Sequence, residues 1–590
     1  MQLTGSQFTN TSALFGNDLG TFPDFPAEIR APQGTLAGVS GYQLHFSSNE
    51  IYTPGDLCDT LVAMNSAALK VNLKSLRRGG TIIANTSGFD SKNLRLANYE
   101  NNPVEDGSLS DFNVIKMDVT KLTREAISDL TLGMKEKDRC KNMFVLGFLY
   151  WMYDRKMDAT INFLNEKFGK KPDILEANVR TLKAGYHFGD TTETFTTRYH
   201  VAPAKMEPGV YRSIMGNSAI TLGLLAASEK ANLPIFLGSY PITPASDILH
   251  DLSKYKHYNV RTLQAEDEIA AICTSIGASF GGALGVTTTS GPGMALKTEA
   301  MGLAMMLEIP LIIINIQRGG PSTGLPTKTE QADLLQALYG RNGECPIPVI
   351  SANTPSDCFQ TAFEAVRIAI QHMTPVILLS DGYIANGAEP WKFPSMSDMP
   401  EIAVKFRGPR EETDPAFMPY QRDENLVRPW AIPGTKGLEH RVGGLEKQDI
   451  TGNVSYDPEN HEKMVKIREA KVDKIADHIP LQEIDNGPAK GKVLVLGWGG
   501  TYGALKAAVK ELVDEGQSVA HCHVKYMRPL PKNLGEILHN YDTIIMPELN
   551  NGQFIKVIRD KFLLPAIPFN KIQGVPFGKG ELIDFIKKYL

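Results

Sequence analysis

The stretch GSYPITPASDILHDLSKYKHYNVRTLQAEDE, residues 238–268, decides the fold predicted for the middle of this chain. The apolar run Leu233–Leu237 leads into it, and the turn Tyr240-Pro241-Ile242-Thr243-Pro244 follows that run. A helix pattern comes next, then a short strand-like segment at 260–263, then the acids Glu266-Asp267-Glu268 at the start of a second helix pattern. Open α/β sheets bind ligands where strands end in such turns. We therefore predict strands with a ligand site at their ends.

The same alternation of short apolar strands and helices extends from Val210 to about Pro390. Continuous apolar strands bounded by Gly and Pro indicate a parallel sheet that is covered on both faces. The alternation stops at 391–480, where aromatic residues still recur, and this segment is interpreted as a long ordered connection with one helix near its end. It returns from Lys490 to the last residue.

Composition and charge exclude several classes of protein. A length of 590 residues predicts three or four domains at roughly 150 residues each. The 61 basic and 66 acidic residues give a net charge of −5, which argues against a nucleic-acid partner or a polybasic membrane anchor. The six cysteines are far apart and include no C-x-x-C pair, which is typical of reduced thiols in a cytoplasmic protein. Its apolar runs are far shorter than the ~20 residues that span a bilayer, so no membrane partner is predicted.

Four motifs in combination resemble one family. They are YPITP at 240–244, QAEDE at 264–268, TTTSGPG at 287–293 and QRGGPSTGLPT at 317–327. Together they are similar to the α subunits of the 2-oxoacid:ferredoxin oxidoreductases, in the branch that acts on 2-oxoglutarate. The resemblance covers nearly the whole chain. It implies an α/β fold with these parts: a γ-type domain at 1–189, a linker at 190–209, a thiamine-diphosphate pyrimidine-binding domain with a parallel sheet at 210–390, the connection at 391–480, and a transketolase C-terminal-like domain at 481–590.

The opening segment MQLTGSQFTNTSALFG predicts a helix with no strand before it. Family γ-type domains begin with a strand and a glycine-rich turn, so the first strand is expected to be missing here. Either the chain begins inside the domain or, as we favour, the true start lies upstream. A strand is predicted within 34–48, and a strand–helix–strand unit within 58–87.

Glu266 is the central candidate for a catalytic residue that contacts the cofactor. Thiamine diphosphate enzymes need a carboxylate that hydrogen-bonds N1′ of the aminopyrimidine ring; the cofactor supplies the carbanion chemistry and the protein holds the tautomer. The residues alone leave the alternative that Glu266, Asp267 and Glu268 only complement the N-terminus of a helix. The resemblance matches Glu266 to the glutamate of the family, with Glu268 as the second choice.

Thr243 and Arg318 are the candidates for holding the substrate. Two prolines stiffen the turn around Thr243, and the resemblance implies that its hydroxyl bonds the oxo-acid end; a plain turn is the alternative. Arg318 follows a strand and precedes glycines, so its guanidinium could take a carboxylate in two parallel hydrogen bonds, with a structural salt bridge as the alternative. The second carboxylate of 2-oxoglutarate would need another cation or further polar groups, for which Ser322, Thr323 and Lys328 are candidates of equal rank.

The segment TTTSGPG resembles a phosphate loop but lacks the lysine of a P-loop NTPase. In the family this segment borders the pyrimidine half of the cofactor. The resemblance implies that the cofactor is bound by Tyr240, Pro241, Ile242, Pro244, Glu266, Ser290, Gly291 and Pro292.

Two further sequence patterns are weaker evidence for a binding site. GWGGTYG at 497–503 departs from the G-x-G-x-x-G spacing, which disfavours a dinucleotide site. His521 and His523 share one face of a predicted strand without a third ligand in view, so both are interpreted as core or surface histidines.

The sequence lacks a GDG motif with its asparagine and a cysteine set for an iron–sulfur cluster. No metal site is therefore predicted in this chain. The resemblance implies that thiamine diphosphate is shared with a separate β subunit, which holds Mg²⁺ and a [4Fe–4S] cluster, in an (αβ)₂ hetero-oligomer. It implies that 2-oxoglutarate, coenzyme A and oxidised ferredoxin give succinyl-CoA, carbon dioxide and reduced ferredoxin. The alternatives are an enzyme for pyruvate or branched-chain 2-oxo acids, and a non-catalytic assembly subunit.

Overall fold

The computed structural model describes residues 2–26, 31–32, 34–192 and 198–590. The described helices, in chain order, are α1 Gln2–Leu14, α2 Ser66–Asn72, α3 Ser91–Leu96, α4 Val119–Ala126, α5 Met134–Arg139, α6 Lys141–Met152, α7 Asp158–Phe168, α8 Pro172–Thr191, α9 Gly216–Ala231, α10 Ser246–Leu252, α11 Glu268–Phe280, α12 Gly291–Leu296, α13 Thr298–Leu307, α14 Leu334–Tyr339, α15 Asp357–His372, α16 Gly382–Asn386, α17 Pro458–Lys474, α18 Tyr502–Asp514, α19 Leu534–Leu538, α20 Phe554–Phe562 and α21 Lys579–Ile586. The described strands are β1 Asp18–Asp24, β2 Gly41–Ser47, β3 Cys58–Ala63, β4 Leu76–Asn85, β5 Asn113–Met117, β6 Tyr211–Met215, β7 Ile235–Ser239, β8 Val260–Gln264, β9 Leu284–Thr289, β10 Leu311–Gln317, β11 Val349–Ser351, β12 Pro375–Asp381, β13 Ala388–Lys392, β14 Gly491–Trp498, β15 Val519–Val524, β16 Tyr526–Arg528, β17 Tyr541–Glu548 and β18 Ile567–Asn570.

The chain divides into two compact units, residues 1–213 with 388–392, and residues 214–387 with 393–590. The first unit contains a parallel sheet in the order β3-β4-β5 and an antiparallel pair of β1 with β2. Helices α6 and α8 pack closely because each has a glycine at the crossing. A Cβ atom at Gly147 would overlap the carbonyl of Leu182, and one at Gly185 would overlap that of Phe144.

Most secondary-structure predictions for the first unit are confirmed. The opening segment is α1, and the strand–helix–strand pattern is β3, α2 and β4. The strand within 34–48 occupies only the second half of that range, because residues 36–38 form a 3₁₀ turn. The segment predicted as a linker begins inside a helix, since α8 continues to Thr191. Residues 193–197 of that segment lie outside the described residues.

The second unit is built on a sheet with the strand order β16-β11-β12-β10-β9-β7-β8. All of its strands except β16 run parallel. Every residue of β9, β10 and β12 is buried, as expected for strands covered on both faces. A second parallel sheet has the order β15-β14-β17-β18, and its buried side chains share a core with the first sheet. The predicted mixed α/β fold with parallel sheets is confirmed.

The glycine-rich turn at 497–503 packs against the first sheet and leaves little space for a nucleotide. A Cβ atom at Gly500 would overlap the carboxylate of Asp381, and one at Gly499 would lie 2.8 Å from Nε2 of Gln331. Gln331 also donates from Nε2 to the carbonyl of Trp498 at 2.7 Å. The turn is therefore a junction between the two sheets.

His521 and His523 are buried on β15, with His521 Nε2 3.3 Å from His523 Nδ1. Burial lowers the pKa of both imidazoles, that of His523 to about 3. They are core histidines, which confirms one of the two interpretations made from the sequence.

The first part of the connection, residues 393–457, is fixed to the end of α13 through a buried carboxylate. Glu308 is 1% exposed and accepts hydrogen bonds from Arg422 and from Lys471, whose Nζ lies 2.6 Å from Glu308 Oε2. Arg422 also donates to Asp449 at 3.1 Å. Burial alone would raise the pKa of Glu308, but Lys471 and Arg422 outweigh it and hold that pKa at about 2.

Glu308→Gln is expected to lower the free energy of unfolding by about 3–5 kcal/mol, because buried Lys471 loses its counter-charge and buried Arg422 keeps only that of Asp449. The folded pKa of Glu308 is depressed below its usual 4.5, so its contribution is complete above that pH and is lost as the pH falls towards 2. Thermal unfolding should therefore show a Tm gap between wild type and variant that narrows below about pH 4.5. Glu462→Gln, in an exposed pair with Lys466, is the control and should leave Tm close to that of wild type, because solvent screens such pairs. Equal Tm losses in the two variants would contradict the prediction.

Candidate active site

The four turns singled out from the sequence lie at one edge of the first sheet. They follow the carboxyl ends of neighbouring parallel strands: 240–244 after β7, 265–267 after β8, 290–293 after β9 and 318–324 after β10. Parallel strands present their carboxyl ends at the same edge, which is where open α/β sheets form ligand clefts. The strand order therefore brings the four motifs together.

The three consecutive acids have three different environments. Asp267 is the N-cap of α11, and its Oδ1 accepts a hydrogen bond from the backbone N–H of Ala270 at 2.7 Å. Glu268 is 7% exposed and packs against Gly293, where a Cβ atom would lie 2.9 Å from its Oε1. Glu266 precedes the helix and is exposed, and its carboxylate has no hydrogen-bond or salt-bridge partner among the described residues. The complement to the helix N-terminus is thus chiefly Asp267, which leaves Glu266 available.

The turn Tyr240–Pro244 is held from beneath by two side chains. Arg318 donates from Nη1 to the carbonyl of Thr243 at 2.7 Å, and Asn217 donates from Nδ2 to the carbonyl of Pro244 at 2.9 Å. Tyr240 is 37% exposed, and Thr243 is also exposed. The turn is therefore fixed through its backbone while these two side chains remain accessible.

Arg318 is 6% exposed, and its Nε has no hydrogen-bond partner among the described residues. Burial lowers the pKa of this guanidinium, and the nearby acids Asp333 and Glu268 act in the opposite direction. The structure gives Arg318 no salt bridge within the described part of the chain, so its observed partner is a backbone carbonyl. A buried guanidinium with a free donor is suited to an anionic ligand.

The turn after β9 is tightly packed and is buried at both of its ends, Ser290 and Gly293. Ser290 is fully buried, and its hydroxyl has no partner among the described residues. A Cβ atom at Gly291 would lie 3.0 Å from Asp333 Oδ1, so glycine allows the turn to approach that carboxylate. Burial raises the pKa of Asp333, and a hydrogen bond from Asn315 at 2.9 Å acts against that rise.

Ser322 and Thr323 are exposed in the loop that the backbone N–H of Leu325 closes by donating to Gly319 at 2.8 Å. Neither hydroxyl is hydrogen-bonded to Arg318. These two candidates for binding the second carboxylate therefore follow Arg318 in the chain but do not contact its guanidinium donors.

Sequence reasoning missed Lys297. Lys297 is fully buried between α12 and α13, and its Nζ donates to the carbonyl of Glu268 at 2.8 Å and to Thr287 Oγ1 at 3.0 Å. The available signal was a single lysine within the apolar segment GMALKTEAMGLAMML. Among the residues that the structure describes, no group of three or more His, Cys, Asp or Glu side chains is arranged to hold a metal ion.

Comparison with known protein families identifies the class of protein to which this chain belongs. A family model described as "Pyruvate flavodoxin/ferredoxin oxidoreductase, thiamine diP-bdg" matches residues 228–457. A second, described as "Pyruvate ferredoxin/flavodoxin oxidoreductase", matches residues 1–188. The carboxyl-edge site lies within the first match, so the class is that of 2-oxoacid oxidoreductase subunits with a thiamine-diphosphate-binding domain.

Individual relatives narrow this class. The chain is 53% identical to the 2-oxoglutarate oxidoreductase subunit KorA of Mycobacterium tuberculosis, over all of this chain and 90% of that protein. It is 32% identical to the 2-oxoglutarate synthase subunit KorA of Archaeoglobus fulgidus, over 58% of this chain and 90% of the relative. A solved structure, the 2-oxoglutarate:ferredoxin oxidoreductase from Magnetococcus marinus with 2-oxoglutarate, coenzyme A and succinyl-CoA bound, is 28% identical with a TM-score of 0.85, over 100% of this chain and 96% of that one. The chain belongs to the family of 2-oxoglutarate oxidoreductase KorA subunits.

Proposed function

We propose that this chain is the α subunit of a thiamine-diphosphate-dependent 2-oxoglutarate:ferredoxin oxidoreductase. The complex converts 2-oxoglutarate and coenzyme A to succinyl-CoA and carbon dioxide, and the electrons pass to ferredoxin. The observation that carries the proposal is the likeness over the full chain to a 2-oxoglutarate oxidoreductase subunit, together with the four family motifs at one sheet edge.

The residues at this edge fit the pyrimidine half of thiamine diphosphate. Four buried polar atoms next to the turns have no partner among the described residues: Asn217 Oδ1, Ser290 Oγ, Asn315 Oδ1 and Arg318 Nε. Buried polar groups in native proteins are nearly always paired, so such a concentration indicates a bound ligand or ordered water. When bound, thiamine diphosphate supplies the carbanion chemistry of the reaction.

In this proposal, the residues of this chain bind and orient the cofactor ring and the substrate. Glu266 accepts a hydrogen bond from N1′ of the aminopyrimidine and so holds a proton at that nitrogen. The Thr243 hydroxyl bonds the oxo-acid end of the substrate, and Arg318 takes a carboxylate through its free donors. Ser322 and Thr323 serve the second carboxylate of 2-oxoglutarate. The proposed contacts with the cofactor ring are Tyr240, Pro241, Ile242, Pro244, Ser290, Gly291 and Pro292.

We assign the diphosphate, Mg²⁺ and the [4Fe–4S] cluster to a separate β subunit, in an (αβ)₂ assembly. Support comes from large apolar side chains that are exposed in or beside the four turns: Tyr240, Leu263, Ile269, Leu296 and Leu325. Exposed apolar residues grouped around a cleft are typical of a protein interface. A β subunit that covers them would also enclose the site.

The proposed domain boundaries are those of the sequence analysis, with a γ-type domain at 1–189 that contributes to coenzyme A binding. A cytoplasmic complex is proposed, and all six cysteines are free thiols in keeping with it. Among the described residues, the helices lack the combination of length and apolar character needed to cross a bilayer.

The test is purification of the natural complex followed by assay with 2-oxoglutarate, pyruvate, 2-oxobutyrate and a branched-chain 2-oxo acid. We expect an iron–sulfur protein that binds thiamine diphosphate to co-purify, and the highest kcat/KM with 2-oxoglutarate. A clear preference for pyruvate or a branched-chain acid would favour that alternative enzyme. A complex whose turnover is unchanged by Glu266→Ala would favour a non-catalytic assembly subunit.

A further inference from the structure

Lys297 connects two of the turns that form the candidate site. Its Nζ donates to the backbone carbonyl of Glu268, two residues after Glu266, at 2.8 Å. It also donates to Thr287 Oγ1 on β9, three residues before Ser290, at 3.0 Å. The side chain thereby ties the end of the acidic turn to the strand that leads into the turn of Ser290.

A lysine in this position is costly for the fold. Lys297 is fully buried in a segment that is otherwise mainly apolar, and neighbours on its own helices, Met294 and Met301, belong to the hydrophobic core. A methionine side chain would fill a similar volume without the cost of removing a charge from water. Packing alone therefore does not explain why a lysine stands at this position. What the ammonium provides and a methionine would lack is the pair of hydrogen bonds to Glu268 and Thr287.

We infer that Lys297 is a positioning residue, which holds the turn of Glu266 at a fixed separation from the turn of Ser290 so that the aminopyrimidine ring fits between them. This inference rests on the proposed function. Lys297 acts through the backbone of Glu268 and through Thr287, and does not itself touch the cofactor. In metal sites, removal of a residue that orients a ligand from behind costs about 10- to 100-fold in affinity or activity, and we expect an effect of that order here.

The charge of Lys297 predicts a second measurable effect, a dependence of cofactor binding on pH. Burial lowers the pKa of its ammonium to about 8, with the carboxylate of Glu268, the Cys273 thiol and the carboxylate of Asp267 acting in the opposite direction. All three groups belong to the acidic turn and α11, whereas the group facing it from β9 is the uncharged hydroxyl of Thr287. Above about pH 8 the lysine loses its charge, and the two hydrogen bonds lose their charge-assisted strength. An arginine at this position would stay charged.

The experiment measures binding of thiamine diphosphate by calorimetry to the natural complex after the cofactor has been removed, at saturating Mg²⁺ and without 2-oxo acid or coenzyme A. Lys297→Met should raise the Kd of thiamine diphosphate about 10- to 100-fold. Wild type should bind more weakly as the pH rises from 7 to 9, and Lys297→Arg should reduce that pH dependence.

A matched control is Lys447→Met. Lys447 is also buried with its pKa lowered to about 8, but its Nζ donates to the carbonyls of Gly443 and Leu445 in the connection. We expect a similar loss of Tm in both methionine variants and a Kd within about twofold of wild type for the Lys447 variant only.

The inference is overturned if Lys297→Met binds thiamine diphosphate with the Kd of wild type, or if Lys447→Met raises that Kd as much as Lys297→Met does. If Lys297→Met fails to assemble, the inference is overturned when Lys297→Arg shows the same pH dependence of Kd as wild type. The proposed function is tested separately by turnover of Glu266→Gln. If Glu266→Gln is impaired while Lys297→Met binds normally, this inference alone fails. If Glu266→Gln turns over normally, the proposed role of the acidic turn fails as well.

Discussion

Glu266→Gln is expected to lower kcat for 2-oxoglutarate oxidation about 10²- to 10⁴-fold in a complex saturated with thiamine diphosphate. The amide is nearly isosteric with the carboxylate, but it has no negative charge with which to hold a proton at N1′ of the aminopyrimidine. The exposed position of Glu266, free of partners among the described residues, makes this replacement mild for the fold. The measurement is steady-state reduction of ferredoxin with saturating 2-oxoglutarate and coenzyme A.

Two variants control this prediction. Glu344→Gln removes one exposed carboxylate from a loop outside the four turns and should leave kcat within about twofold. Glu268→Gln tests the second-choice acid, which is buried against Gly293, and should disturb stability more than kcat. If the large loss of kcat appeared in Glu268→Gln and not in Glu266→Gln, the two assignments would have to be exchanged.

Arg318→Met is expected to lower kcat/KM for 2-oxoglutarate about 10²- to 10³-fold, an effect of about 3–4 kcal/mol. The variant loses the cation proposed to take a substrate carboxylate and the hydrogen bond that fixes the carbonyl of Thr243. Arg318→Lys keeps the charge but not the planar fork, so a loss of about 10- to 100-fold is expected. Initial rates at varied 2-oxoglutarate separate the effect on KM from that on kcat.

Arg341→Lys is the matched control. Arg341 is partly buried and, like Arg318, donates to backbone carbonyls, those of Ala337, Leu338 and Cys345. It has no substrate role in the proposal. Its replacement should lower Tm while kcat/KM stays close to wild type. Equal losses of kcat/KM in Arg318→Lys and Arg341→Lys would show that Arg318 matters only as a structural arginine.

The turns of the site were predictable because they follow a local rule. Apolar runs that end in Tyr240–Pro244, Ser290–Gly293 and Arg318–Gly324 indicate strand ends, and parallel strands place their ends at one edge. The resemblance to a known family then distinguished Glu266 from its two acidic neighbours. The structure adds the physical difference between them, since Asp267 caps α11 and Glu268 is buried.

What the sequence did not reveal are contacts between residues far apart in the chain. The hydrogen bond from Arg318 to Thr243 joins positions 75 residues apart, and that from Lys297 to Glu268 joins positions 29 residues apart. Neither contact changes the local apolar pattern. The same limit applies to Glu308, whose buried cations come from the connection and from α17. Such pairs become visible only when the elements pack.

The antiparallel contact of β16 with β11 has a practical consequence for anyone who wishes to cut this chain. A fragment that stops at residue 480 would lose β16 and expose the backbone N–H and C=O groups of Val349–Ser351 along an open strand edge. It would also strip Gln331 of its acceptor at Trp498. Open edges pair with other chains, so this truncated product should self-associate on expression. A soluble shortened version would have to retain the carboxyl-terminal hundred or so residues, whatever is removed from the opposite end.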